Sequence, residues 1–264
     1  MKFEIIDFHT HPFPCSINNI CSHKDVIDMD KDHILNLMDK LSITKFCGSV
    51  ISTYHPKTYQ ENESEWTRIQ QQNQLALDLQ KYYKGRYIPG FHIHPDFVEE
   101  SFKEIDKMKG LGVNLVGELV PYMHNYSMDN GGKLDEILDY AEKQDMIVSF
   151  HTMQNDAMDK LIANHKGLKI VLAHPGEKDD VLRHIERMKI SENCYLDISG
   201  TGIFRYGMLE RLVKEVGAER ILFGSDYPTC NPIPYLYAVT ENENLSDSEK
   251  ALILGGNAKR LLKI

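Results

Sequence analysis

Apolar and polar positions follow two rhythms along this chain. Short runs rich in apolar residues recur at Phe3–His9, Lys45–Ser52, Tyr87–His92, Val113–Glu118, Met146–His151, Lys169–His174, Cys194–Ile198 and Ile221–Gly224. Between them, apolar residues return every third or fourth position, as at Leu75, Leu79 and Tyr82, and again at Leu134, Ile137, Leu138 and Ala141. The first rhythm predicts strands and the second helices. Because the two alternate without tandem hairpin turns, the strands should lie parallel under a cover of helices. Eight is the number of strands that closes a TIM barrel, so the expected fold is a single (β/α)8 barrel over residues 1–264. A doubly wound open sheet has the same rhythm and is the alternative.

No repeat or low-complexity linker divides the chain. The longest polar insertion, His55–Glu65, follows the second strand and reads as a solvated loop or a flap. Asn231-Pro232-Ile233-Pro234 predicts a rigid turn. Ser246–Leu262 predicts a terminal helix with Ser246 or Asp247 near its start.

Composition narrows the classes. The 264 residues are 42% hydrophobic and 26% charged, enough to build a sizeable core. The formal charge of −9 disfavours a nucleic-acid partner. No run approaches the roughly 20 apolar residues of a membrane span, and Met1-Lys2 leads straight into a strand, so neither a membrane partner nor a secretion signal is expected. The five cysteines are odd in number and scattered, which fits a reducing cytoplasm better than a disulfide framework. Cys15, Cys21 and His23 match no usual zinc spacing and read as loop residues.

Polar residues at the ends of these strands carry the chemistry. In Asp7-Phe8-His9-Thr10-His11-Pro12 the two histidines share a face of an extended chain, with Asp7 one step below. Glu118 ends the fourth run, His151 the fifth and His174 the sixth, and Asp226 follows the eighth. In a barrel all these ends meet at one mouth. Imidazoles and carboxylates so gathered suit zinc or a related divalent ion with a position left for water.

These motifs resemble the amidohydrolase superfamily, and more narrowly the amidohydrolase-2 group typified by aminocarboxymuconate-semialdehyde decarboxylase. The resemblance rests on Ile6-Asp7-Phe8-His9-Thr10-His11, Phe150-His151, Leu172-Ala173-His174-Pro175-Gly176, Tyr195-Leu196-Asp197-Ile198-Ser199, Arg220-Ile221-Leu222-Phe223-Gly224-Ser225-Asp226-Tyr227-Pro228 and Gly255-Gly256-Asn257-Ala258-Lys259-Arg260-Leu261. It implies His9, His11, His151 and Asp226 around a first ion. His174 is then a ligand to a second ion or a catalytic histidine, and Asp226 doubles as a catalytic base. It further implies zinc as the first-choice ion, one ion by default, with Glu118 as the residue that could bridge to a second.

The expected activity is hydrolysis of a small carboxylate- or carbonyl-bearing molecule by activated water. Decarboxylation within the same group is the alternative. A TatD-like nuclease ranks third, because Val116-Gly117-Glu118-Leu119 resembles the glutamate strand of those enzymes. Arg205 and Tyr122 are candidate substrate-binding residues, Arg205 as a carboxylate clamp. His55, His92 and His94 read as hydrogen-bonded surface histidines. Asp197 reads as a residue that orients a neighbour, and a homo-oligomer remains compatible with the sequence.

Overall fold

The computed structural model describes residues 3–13, 29–51, 64–151 and 154–264. Cys15, Cys21 and His23, and all of the 55–65 insertion except Ser64 and Glu65, lie outside the described residues. The strands are β1 (Ile6–Asp7), β2 (Lys45–Ser49), β3 (Tyr87–Phe91), β4 (Leu115–Leu119), β5 (Ile147–His151), β6 (Lys169–Ala173), β7 (Cys194–Asp197) and β8 (Ile221–Leu222). Each is hydrogen-bonded in parallel to the next, in sequence order. Beyond the short first and last strands the chain still closes the ring. Phe8 N–H donates to Phe223 O at 2.8 Å, Asp226 N–H donates to His9 O at 2.8 Å, and Thr10 bridges Tyr227. The fold is the expected (β/α)8 barrel.

The helices are α1 (Lys31–Lys40), α2 (Glu65–Tyr82), α3 (Val98–Gly110), α4 (Lys133–Lys143), α5 (Asn155–Asn164), α6 (Lys178–Ile190), α7 (Met208–Val216), α8 (Pro232–Thr240), α9 (Asp247–Ala251) and α10 (Asn257–Leu262). Their apolar faces bury the outer faces of the strands. Leu134, Ile137, Leu138 and Ala141 of α4 join Val116, Val148 and Phe150 in one continuous core. A second cluster gathers Ile6, Phe8, Cys47, Leu115, Ile147, Val171 and Leu222, and α10 packs Ala258, Leu261 and Leu262 against it.

Two local expectations change. Asn231-Pro232-Ile233-Pro234 opens α8 rather than forming a free turn. The Asn231 side chain caps Ile233 N–H at 3.0 Å, and Pro232 sits where a helix needs no N–H donor. The terminal helix is not continuous either. Ser246 starts α9 with a capping box to Glu249, but residues Leu252–Gly256 widen into a π-turn before α10. There Ile253 O accepts from Phe223 N–H at 2.8 Å, and Gly255 lies so close to Glu4 that a Cβ would come 2.6 Å from its carbonyl oxygen. The helix gives up regular bonding to seat itself against the ends of the barrel.

Candidate metal centre

The chemistry-bearing side chains are delivered by the ends of five strands. His9 and His11 follow β1, Glu118 lies in β4, His151 ends β5, His174 follows β6 and Asp226 follows β8. His174 and Asp226 both adopt left-handed backbone, at φ 67° and 60°, an uncommon conformation for residues with a side chain. Strain of this kind is tolerated where surrounding structure over-determines it, and it concentrates at functional sites.

Four donor atoms converge. His9 Nε2 and His11 Nε2 are 3.1 Å apart, and Glu118 Oε2 is 3.3 Å from both. Asp226 Oδ1 is 3.7 Å from His9 Nε2 and 3.4 Å from His11 Nε2. Ligand atoms around a tetrahedral zinc are separated by about 3.3 Å, so the spacing of His9, His11 and Asp226 suits one ion, with Glu118 Oε2 against the same two histidines. The protons agree. His11 Nδ1 lies 2.9 Å from Ser49 O, a carbonyl that can only accept, so Nδ1 donates and Nε2 presents its lone pair. His9 Nδ1 is held by Asp197 Oδ2 at 2.9 Å, an ion-pair geometry that orients a metal-binding imidazole. Two lone pairs and two carboxylates facing one another require positive charge among them. The residues therefore fit the divalent ion.

The other oxygen of Glu118 faces away from this group. Oε1 lies 2.9 Å from His151 Nδ1 and 3.3 Å from His174 Nε2. His151 thus stands on the far side of Glu118 from His9 and His11, beside His174, with ring centroids 4.8 Å apart. His9, Glu118 and His174 form a second set of convergent donors beside that of His9, His11 and Asp226.

Electrostatics reflect the same demand for charge. Burial opposes a protonated His9, yet Asp197 and Glu118 outweigh it and hold its pKa well above the ordinary value. Burial likewise opposes a charged His11, while Asp226 and Glu118 lift it to about 9. Glu118 is fully buried, which favours its neutral form, but His9, His11, His151 and His174 keep it ionised well below the usual carboxylate range. Left to the side chains alone, the carboxylates draw protons onto the imidazoles; a metal cation meets the same need.

Tyr122 stands at the mouth, its ring 5.6 Å edge-on from His151 and more than half exposed. Arg205 lies in the loop after β7 and is paired through Nε at 2.9 Å with Glu177 of the loop after β6. His92 and His94 are buried rather than on the surface. His92 Nε2 donates to Val50 O at 3.1 Å and His94 Nε2 to His124 O at 2.8 Å. Sequence reasoning passed over Ser49, whose role is played by a backbone carbonyl that no residue pattern reveals. It also passed over Ser199, whose Oγ lies 3.0 Å from His174 Nδ1. A buried serine two positions after Asp197 at a strand end was the available signal.

Residues 6–264 match the sequence profile of the family described as Amidohydrolase. The chain is 32% identical to gamma-resorcylate decarboxylase from Polaromonas sp. strain JS666 over an alignment of 123 residues, a match that covers 39% of this chain and 37% of that protein. It is 25% identical to an uncharacterized metal-dependent hydrolase from Buchnera aphidicola subsp. Baizongia pistaciae over 171 residues, 60% of this chain and 63% of that one. The matches therefore span less than two thirds of either curated relative. Among solved structures, 2,6-dihydroxybenzoate decarboxylase from Rhizobium superposes with a TM-score of 0.73 at 17% identity, covering 99% of both chains. The dihydroxybenzoic acid decarboxylase from Polaromonas sp. JS666, with bound manganese and 2-nitroresorcinol, gives 0.69 at 17% identity over 99% and 97%. A probable 2-pyrone-4,6-dicarboxylic acid hydrolase from Acinetobacter baumannii gives 0.66 at 16% identity over 99% and 100%. At these identities the superpositions show a common fold.

Proposed function

The chain belongs to the amidohydrolase family, and from that premise we propose that it is a metal-dependent decarboxylase of small hydroxylated aromatic acids. The kinship with gamma-resorcylate decarboxylase carries this reading, which departs from the hydrolysis expected from the sequence. Zinc is the first-choice ion for this N and O donor set, with manganese as the comparison ion.

His9, His11, Glu118 and Asp226 would hold the ion, which supplies positive charge to anchor the substrate carboxylate and a neighbouring hydroxyl. Asp226 would first take the proton of the substrate hydroxyl and then pass it to the ring carbon that bears the carboxylate, leaving the product as its phenolate. The bond to the carboxyl carbon then breaks, its electrons return to the ring, and carbon dioxide leaves. His174 orients the substrate through a hydrogen bond. Tyr122 walls the mouth beside His151. Arg205 serves as a carboxylate clamp once it exchanges Glu177 for substrate. A soluble cytoplasmic enzyme acting on a small molecule is the setting this implies, with self-association compatible.

The test is carbon dioxide release by zinc- and manganese-loaded protein from a panel of mono- and dihydroxybenzoates. Release of carbon dioxide with the matching phenol supports the reading. Turnover of lactones or amides with oxygen-18 from water, and no carbon dioxide, replaces it with hydrolysis. One observation favours that second reading: the split of Glu118 between two groups of imidazoles, an arrangement able to hold two ions and a water-derived nucleophile.

A further inference from the structure

The ladder that closes the barrel between its first and last strands leaves two backbone donors over. Phe8 N–H donates to Phe223 O, Asp226 N–H to His9 O and His11 N–H to Tyr227 O. His9 N–H and Ser225 N–H lie among these bonds, and neither finds a backbone carbonyl among the described residues. One side-chain oxygen serves both. Asp7 Oδ1 accepts from His9 N–H at 3.2 Å and from Ser225 N–H at 2.9 Å. All three residues are buried, and the other oxygen of Asp7 has no hydrogen-bond partner. A buried N–H without an acceptor is costly, so both segments are held to that single oxygen.

We infer that Asp7 is a positioning residue: by joining these two N–H groups it sets the metal ligands of the first strand against the ligand of the last. The bond to His9 is the local turn that an aspartate makes with the second residue after it. The bond to Ser225 crosses 218 positions of chain and holds the residue next to Asp226. His9 Nε2 and Asp226 Oδ1 stand 3.7 Å apart, a spacing that any slip between the two segments changes directly. The segments are also pressed together, since a Cβ on Gly224 would come 2.8 Å from His9 Cβ. Without the shared oxygen, two buried donors are left to seek other acceptors, and the segments part to let them. An accepting oxygen serves equally in an ionised and a neutral carboxyl, so the inference does not depend on the charge of Asp7. It concerns ligand placement and does not rest on decarboxylation.

The experiment is zinc affinity by chelator competition, measured well below the melting temperature, alongside the Tm of the stripped protein. Asp7→Ala removes the accepting oxygen and should weaken zinc binding about tenfold to a hundredfold. Asp7→Asn keeps an accepting oxygen and alters only the one without a partner, so its affinity should stay within about threefold of the wild type. A role in folding alone would lower the Tm of stripped Asp7→Ala and leave the zinc affinity of the folded protein unchanged, which overturns the inference. An Asp7→Asn protein as weak as Asp7→Ala overturns it too, because charge and not the shared acceptor would then be what matters. So does a wild type that binds no zinc. Asp7→Ser, whose shorter hydroxyl serves the local bond to His9 and gives up the bond to Ser225, decides the same question if the alanine variant does not fold: it should weaken zinc binding, and unchanged affinity overturns the inference.

Discussion

At Asp226 one carboxylate oxygen joins the histidine cluster while the other accepts from the Cys230 thiol at 3.9 Å. The second oxygen is thus placed to exchange a proton while the first binds. Asn keeps the shape and loses the basicity. Asp226→Asn should lower turnover on the order of a hundredfold or more, with metal content by mass spectrometry retained. An Asp226→Asn enzyme that holds metal and turns over near the wild-type rate would remove the residue from proton transfer. Glu118 poses the other question at this scale. On the hydrolytic alternative, its two oxygens, facing His9 and His11 on one side and His151 and His174 on the other, would bridge two manganese ions. Titrated protein should then show an exchange-coupled manganese EPR signal that Glu118→Gln loses. A single uncoupled ion in the wild type restricts binding to the group of His9, His11 and Asp226.

Among the elements, β2 passes close against the segment that carries the two histidines. Gly48, at φ 137° in β2, would place a Cβ 2.0 Å from Thr10 O, on the segment joining His9 to His11. Gly48→Ala must therefore displace that segment as well as strain its own backbone. It should cost about 3 kcal/mol in denaturant unfolding and weaken metal binding together. The cap of α9 is a milder test. Ser246 accepts from Glu249 N–H at 3.3 Å, and Glu249 reaches back to Ser246 N–H at 2.7 Å. Ser246→Ala should cost about 1 kcal/mol with an unchanged denaturant slope and unchanged metal content, because the capping box lies far from the histidines in the chain.

For the molecule as a whole, the metal centre joins the first strand to the last, since His9 and His11 follow β1 and Asp226 follows β8. Ion binding should therefore stabilise barrel closure. At a hundredfold excess over Kd, zinc should add about 2.7 kcal/mol, raising Tm by roughly 5–10 °C over chelator-treated protein. No shift on adding zinc or manganese to the stripped protein would deny the ion its place among these strands. Much of this scale was legible in the chain. Strand and helix periodicities follow from which face of each element meets the core, so local pattern alone announced eight parallel strands, while their sequential order and closure came from the tertiary structure. Polar residues ending apolar runs, His9, His11, Glu118, His151, His174 and Asp226, likewise announced a common mouth, because strand direction carries every run to the same end. Tertiary structure decided how these groups divide. The split of Glu118 between two sets of imidazoles, the pairing of Arg205 with Glu177, the burial of His92 and His94, and the π-turn before α10 all depend on distances between segments remote in sequence. A residue's type states what bonds it can make. Only the closed barrel determines which partner stands within 3 Å to make them.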